Sequence, residues 1–251
     1  MGNIQEKIIQ VLRERDKEER VKDVRLGLGY TAVQLESGHT GLAFTFRQNL
    51  PGGCSVFHGL RPLAGRPAVA LLPFLDSGEK IEATVGLAAA NALTNHHING
   101  AQEGDILKVL DIHPQDEVGM VGYFAPMVPE LKKRVKHLTI FEKWEQPGLI
   151  LPEEAAFEWL PKCQIALITS TTLLNNTIDP LLKAAASCRE VVLLGTSTPL
   201  LREAFKDTPV TMLSGIEVID PKEILQIVSE GGGTRNFKHF VRKLNLPVYK
   251  S

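Results

Sequence analysis

The chain is short of cysteine, aromatic residues, net charge and long apolar runs. Its cysteines are Cys54, Cys163 and Cys188, an odd number set far apart, which excludes a readable disulfide framework. No CxxC pair is present for a zinc knuckle. Reduced thiols fit a cytosol best, so a cytoplasmic location is expected. Aromatic residues make up 6% and carry no basic interleaving, which argues against a base-stacking surface. Lysine plus arginine number 28 and aspartate plus glutamate 29. The resulting net charge of -1 gives no electrostatic case for nucleic acid or an anionic membrane. The opening MGNIQEKIIQVLRERDKEER lacks the apolar stretch of a signal peptide, and Glu6 breaks the N-myristoylation pattern. The longest apolar runs, such as residues 68–75, are too short to span a bilayer. HExxH, HxH and GxSxG are missing. His96 and His97 are neighbours in sequence, so on a helix or strand they diverge. A site assembled across the fold from His58, Cys54 or Glu142 is left open, and no catalytic triad is readable.

What is there is enough for a core. Of 251 residues, 43% are apolar, which suits one large domain or two modest ones. Ile4, Ile8, Ile9 and Leu12 recur at helical spacing. Two alternating stretches, about 22–36 and 39–48, predict a hairpin turning at Ser37-Gly38. Residues 51–67 read as a Gly- and Pro-rich loop, 79–95 as an Ala-rich helix and 96–104 as a linker. From residue 105 short apolar runs alternate with helical patterns. Strands are expected at 117–124, 137–142, 164–170, 190–196 and 209–215. Helices are expected around 128–136, 152–160, 176–187, 199–206 and 221–229. Strand–helix alternation of this kind implies a parallel sheet. The expected fold class is α/β, with a small α+β domain at 1–104 and a Rossmann-like parallel-sheet domain at 105–251.

Several glycine-rich and hydroxyl-rich segments are candidates for a site. GLGYTA, with Gly27, Gly29 and Ala32, spells GxGxxA, but the residues after it alternate like a strand where a dinucleotide fingerprint needs a helix. It is read as a hairpin feature, with Tyr30 facing a cleft. Gly122 sits where a Rossmann first loop belongs, and Glu142 follows 20 residues later, the place of a ribose-binding carboxylate. Ser170, Thr171 and Thr172, with Asn175 and Asn176, supply more polar groups than helix capping needs. Gly195, Thr196 and Ser197 follow the fourth strand, and Ser214-Gly215 is expected to end the fifth. These strand ends would share one edge of a parallel sheet and together line a cleft. Gly231 to Gly233 reads as a helix stop or a lid. Arg235, Lys238, His239, Arg242 and Lys243 read as a solvated helix face.

GYFAPMVPELKK, IFEKWEQPG, ITSTTLLNNTIDPLL, LLGTSTPL and the terminal GGGT together resemble the family described as "putative heavy-metal chelation", over about residues 105–240. The first half looks like the small domain that precedes it in that family. The resemblance implies an enolase N-terminal-like domain joined to a Rossmann-like domain, with a site between them. It implies a cleft built from Tyr30, Asn91, Gly122, Tyr123 and Glu142. Thr171, Thr172, Asn176, Gly195 and Thr196 are implied as well. It suggests a metal ion as cofactor, although no thiolate pair or histidine cluster is visible in the sequence.

The leading expectation is a protein that binds a small molecule, a heavy metal or a metal-chelating compound in that cleft. One alternative is a nucleotide- or nicotinamide-dependent enzyme with a degenerate fingerprint, and another is a non-catalytic scaffold. No nucleic-acid or membrane partner is expected, and a homo-oligomer is left open.

Overall fold

The computed structural model describes residues 2–15, 18–46, 57–143 and 150–249. Cys54, with the rest of 51–56, lies outside them, as does most of the IFEKWEQPG segment. Helix α1 (Ile4–Arg15) buries Ile4, Ile8, Ile9 and Leu12, the stripe its spacing predicts. The two alternating stretches form three strands instead of two: β1 (Val21–Leu26), β2 (Tyr30–Leu35) and β3 (Thr40–Phe44), an antiparallel sheet in that order. The additional turn falls at the GLG segment, where the Gly27 N–H donates to the Tyr30 carbonyl at 3.0 Å. A strand follows GLGYTA, so this glycine motif is a hairpin turn.

Helix α2 (Lys80–Thr94) is buried along nearly its whole length. Its alanines serve close approach: a Cβ on Gly41 of β3 would strike the backbone at Ala88 and Ala92. Asn91 Nδ2 donates to the Leu42 carbonyl at 2.7 Å and ties the helix to that strand.

The second half runs β4 (Gln102–Glu103), β5 (Glu117–Val121), α3 (Val128–Arg134), β6 (His137–Glu142), β7 (Ile150–Pro152) and α4 (Ala156–Trp159). It continues with β8 (Ile165–Thr169), α5 (Ile178–Ala184), β9 (Glu190–Leu194), α6 (Arg202–Phe205) and β10 (Met212–Val218). It ends with α7 (Pro221–Ser229), α8 (Thr234–Phe237) and β11 (Val241–Pro247). These strands form one sheet in the order β4-β11-β10-β9-β8-β5-β6-β7. β5 to β10 pair parallel, and β11 and β4 close one edge antiparallel. The parallel part has the 3-2-1-4-5-6 order of a doubly wound sheet. Its direction of growth reverses between β5 and β8.

Three expectations change. Gln102–Glu103, placed in a linker, add a strand to the large sheet. Ser214 and Gly215 lie inside β10 and do not end it; the Ser214 hydroxyl bonds Asn245 across to β11 at 2.8 Å. The basic C-terminal stretch is no single helix face: Arg242 and Lys243 lie in β11, where Arg242 pairs with Glu217 at 2.8 Å. Alternation within VRKLNLP was masked by its charges.

Both faces of the large sheet are buried, which is why its strands read as unbroken apolar runs. Val118, Met120, Ile140, Leu167 and Val192 pack on one side with α3. Val121, Phe141, Ile168, Val191 and Leu193 face the other side. That second side is continuous with the buried residues of α1, the first sheet and α2. The two halves therefore share one packed core. Ile224 and Val228 of α7, with Phe237 of α8, cover Ala32 and Leu42 of the first sheet. Asp220 accepts from the Glu223 amide at 3.2 Å and caps α7, with Pro221 at its first position.

Candidate functional site

Ligands in open parallel sheets bind beyond the carboxyl ends of the strands, where the strand order reverses. Here that place is the gap between β5 and β8. A cavity of 370 Å³ opens there, lined by the residues that end β5, β6 and β8 and by Phe44 and Phe46 at the end of β3.

Gly122 turns the chain out of β5 with φ +91°. A Cβ there would press on Thr169 Cβ and Cγ2 at 2.9 Å, so glycine is required both by the dihedral and by the space. The turn delivers the Tyr123 amide to Glu142 Oε2 at 3.2 Å, and the Lys143 amide reaches Glu142 Oε1 at 2.8 Å. A carboxylate offers about four acceptor positions, so Glu142 is held in place with capacity for two further donors.

Glu153 lies in the same cavity. Burial raises its pKa above the usual carboxylate range; Lys143 opposes this, and the charges of Glu142 and Glu154 add to it. On the β8 side, Thr169 and Thr171 share a hydroxyl–hydroxyl bond of 3.0 Å, and Asn175 accepts from Thr177 through its side-chain oxygen. The Phe46 ring carries Lys80 Nζ at 4.6 Å and Lys143 Nζ at 4.8 Å, placing two cations on an aromatic wall.

Of the residues expected in the cleft, Gly122, Tyr123, Glu142 and Thr171 line this cavity. The others do not line it and make contacts elsewhere in the fold. Asn91 is buried and bound to Leu42. Ser170 is 1% exposed. Thr172 donates to the Thr169 carbonyl at 2.6 Å and closes the turn after β8. Asn176, at φ +59°, accepts from Gln5 Nε2 of α1 at 2.8 Å. Gly195 turns the chain out of β9 at φ +125°. Thr196 lies beside the Tyr30 hydroxyl, and Tyr30 is clamped edge-on between Phe44 and Phe237. Ser197 Oγ accepts the Phe44 amide at 2.8 Å. Phe44, Phe46 and Glu153 line the cavity too and were not among the expected residues. The two phenylalanines had a faint signal, alternate positions at the end of a strand, but nothing in the sequence said where that strand would end.

The donors suit some metals and not others. Glu142, Glu153, Thr169 and Thr171 offer oxygen, the preference of hard cations and not of heavy ones. Burial pushes the Cys163 thiol up to about 11 and the Cys188 thiol to about 12, so both stay protonated at neutral pH. They face the Trp159 and Leu160 carbonyls at 3.4 Å. Among the described residues no three His, Cys, Asp or Glu side chains are grouped to hold a metal ion. Among the described residues, the side chains at this cavity therefore do not fit a heavy metal.

Comparison with known proteins agrees with this architecture. An uncharacterised protein of Methanocaldococcus jannaschii is 28% identical over 98% of this chain and 96% of its own length. The crystal structure of a protein of unknown function from Pyrococcus horikoshii superposes with TM-score 0.86 at 22% identity, over 98% of this chain and 100% of that one. One from Desulfitobacterium hafniense gives 0.81 at 22% identity, over 97% and 98%. Both belong to the DUF364 family. Family models described as "Putative heavy-metal chelation" match residues 9–94 and 105–247, the second being that of DUF364. The chain belongs to the DUF364 family.

Proposed function

We propose that this protein binds a small organic molecule in the cleft between β5 and β8. Glu142 takes hydroxyl or amine groups of the ligand, and Phe44 and Phe46 cover its flat part. One observation carries the reading: the 370 Å³ cavity coincides with the strand switch point and has the second-strand carboxylate in its wall. The oxygen donors and the protonated thiols direct the family's metal connection to the ligand. A chelating organic molecule, free or metal-loaded, fits the cleft better than a bare heavy-metal ion. We place this activity in the cytosol, where thiols such as Cys163 and Cys188 remain reduced.

A ribose-bearing ligand is the second reading, favoured by the position of Glu142 at the end of β6. A dinucleotide is disfavoured by the same loop: Phe124 and Pro126 stand where a phosphate-binding turn needs glycine, and the Tyr123 amide is given to Glu142.

Thermal shift and calorimetry with a catechol, a pterin, adenosine and NAD, each with and without Fe³⁺ or Ni²⁺, test this. A ligand at 100 times its Kd adds about 2.7 kcal/mol to stability, which a midpoint measurement detects. The expected result is binding of at least one aromatic chelator or nucleoside, weakened at least about tenfold by Glu142→Gln, which removes a charge-assisted bond. Stoichiometric binding of bare metal that survives Glu142→Gln, or silence across the panel at millimolar concentration, would overturn the reading.

A further inference from the structure

A second cavity, of 530 Å³, shares no residue with the cleft. It lies between the C-terminal ends of α1 and α2 and the start of α6, over Leu93, Leu200 and Leu246. Its polar wall is Arg15, His96, His97, Asn99, Arg202 and Glu203. Two guanidinium groups and two imidazoles thus face one carboxylate. Glu203 is already committed to Arg15 at 2.6 Å.

Arg202 is different. Among the described residues no carboxylate lies within ion-pair distance of it. Its Nε donates to the Pro247 carbonyl at 2.8 Å and its Nη2 to the Asn99 carbonyl at 3.1 Å. Its guanidinium stands 5.5 Å from the Tyr249 ring centre. Neutral groups hold this cation in position without cancelling its charge. Such a preorganised fork is the usual means of recognising phosphate or carboxylate.

The histidines form the opposite wall, where His97 adds a donor. His39 and His96 stack face to face, 3.6 Å apart and 5° from parallel, and His97 stands edge-on to both at 6.0 and 6.2 Å. His97 holds φ +45°, a strained backbone for a non-glycine residue. Stacked rings keep their in-plane lone pairs in parallel planes, so they do not converge on one metal ion, and the neighbouring guanidiniums repel a cation. The C-terminal end of α2 opposes an anion with about half a unit charge. That opposition is smaller than the full charge of Arg202. Two of the last carbonyls are also already used, that of Ala90 by the Thr94 hydroxyl and that of Asn91 by the Asn95 amide.

We propose that this cavity is a second site, for a small multiply charged anion bearing phosphate or carboxylate groups, with Arg202 as its anchor and His97 as a flanking donor. Calorimetry at low salt with pyrophosphate and with citrate tests it. At least one of them should bind with a Kd below about 1 mM, and the tighter one names the ligand chemistry. Arg202→Gln should weaken that binding at least about tenfold, the worth of a charge-assisted bond. His97→Gln, on an exposed residue, decides the question should Arg202→Gln misfold, and should weaken binding several-fold. Glu142→Gln should leave the affinity within twofold, which separates this site from the cleft. The imidazole carbon-bound proton signals of His96 and His97 should move during the titration. No binding of either anion at 10 mM, or binding indifferent to both Arg202→Gln and His97→Gln, overturns the proposal.

Discussion

The loops after β8 and β9 begin alike and end differently. Each leaves the carboxyl end of a parallel strand, each is rich in small and hydroxylated residues, and each meets the first sheet. The β8 loop borders an open cavity through Thr169, Thr171 and Asn175. The β9 loop is sealed: Thr196 sits against Tyr30, Ser197 accepts from the Phe44 amide, and Asn95 donates to the Thr198 carbonyl. Their own residues do not account for the contrast. The first sheet lays its backbone on the β9 loop but only the rings of Phe44 and Phe46 beside the β8 loop. Hydroxyls at a strand end are donors in search of a partner, and the other half of the molecule decides whether a neighbour or a ligand supplies it.

The comparison breaks most severely at Asn95. Its Nδ2 donates to the Thr198 and Ile216 carbonyls at 2.9 and 3.1 Å, and its Oδ1 accepts the Leu200 amide at 2.8 Å. Asn95→Leu strands three buried backbone groups and should cost roughly 3–6 kcal/mol, at about 1–2 for each. Urea unfolding measures this, and a loss under about 1 kcal/mol would mean that the seal is not held there. Gly122→Ala comes next. Its dihedral and the contact with Thr169 should cost about 1–3 kcal/mol and close the cleft to any ligand. A matched pair is sharper. Ser197→Ala should lose about 1 kcal/mol of stability from the orphaned Phe44 amide and leave cleft binding within twofold. Thr171→Ala should do the reverse, changing stability by no more than about 0.5 kcal/mol while weakening cleft binding. If both variants act on stability alone, the β8 loop is as structural as the β9 loop.

Much of the fold was legible because burial on both faces leaves an unambiguous mark: EVGMV, HLTIFE, IALIT and EVVLL all became strands. That Gly122 and Glu142 come to one cavity was legible because the topology of a doubly wound sheet places a first-loop glycine and a second-strand acid together. The partners of the β9 loop were not legible, for a physical reason. Its residue types are equally suited to a ligand and to the Phe44 amide, and only tertiary packing chooses. Asn91 is similar: a lone amide among alanines does signal a buried bond, but its partner is the Leu42 carbonyl. β11 was missed because charged, edge-type alternation is weak. The stacked histidines join positions 39 and 96, a contact that no local spacing encodes.

The smallest expected effect concerns Glu153, and its sign distinguishes open from packed surroundings. Burial and the Glu142 charge raise its folded pKa despite Lys143. Folding therefore favours its protonated form. The stability this contributes is complete below the ordinary carboxylate range and fades as pH climbs through the raised folded value. Glu153→Gln mimics the protonated state at every pH. The melting temperature of the variant should match that of the wild type near pH 4 and exceed it increasingly towards pH 7. Asp116 supplies the opposite case. Burial alone would raise its pKa, but the bond from Arg189, the His113 amide and the nearby positive charges lower it overall. Its contribution is present above the ordinary carboxylate range and is lost as pH falls through its folded value, so the deficit of Asp116→Asn should shrink in acid. Melting curves of both variants from pH 3 to 8 should diverge from wild type together towards neutral pH, one upward and one downward. Should Glu153→Gln fall below wild type at pH 7, its carboxylate is a packed structural group after all, and the cleft loses one of its two acids.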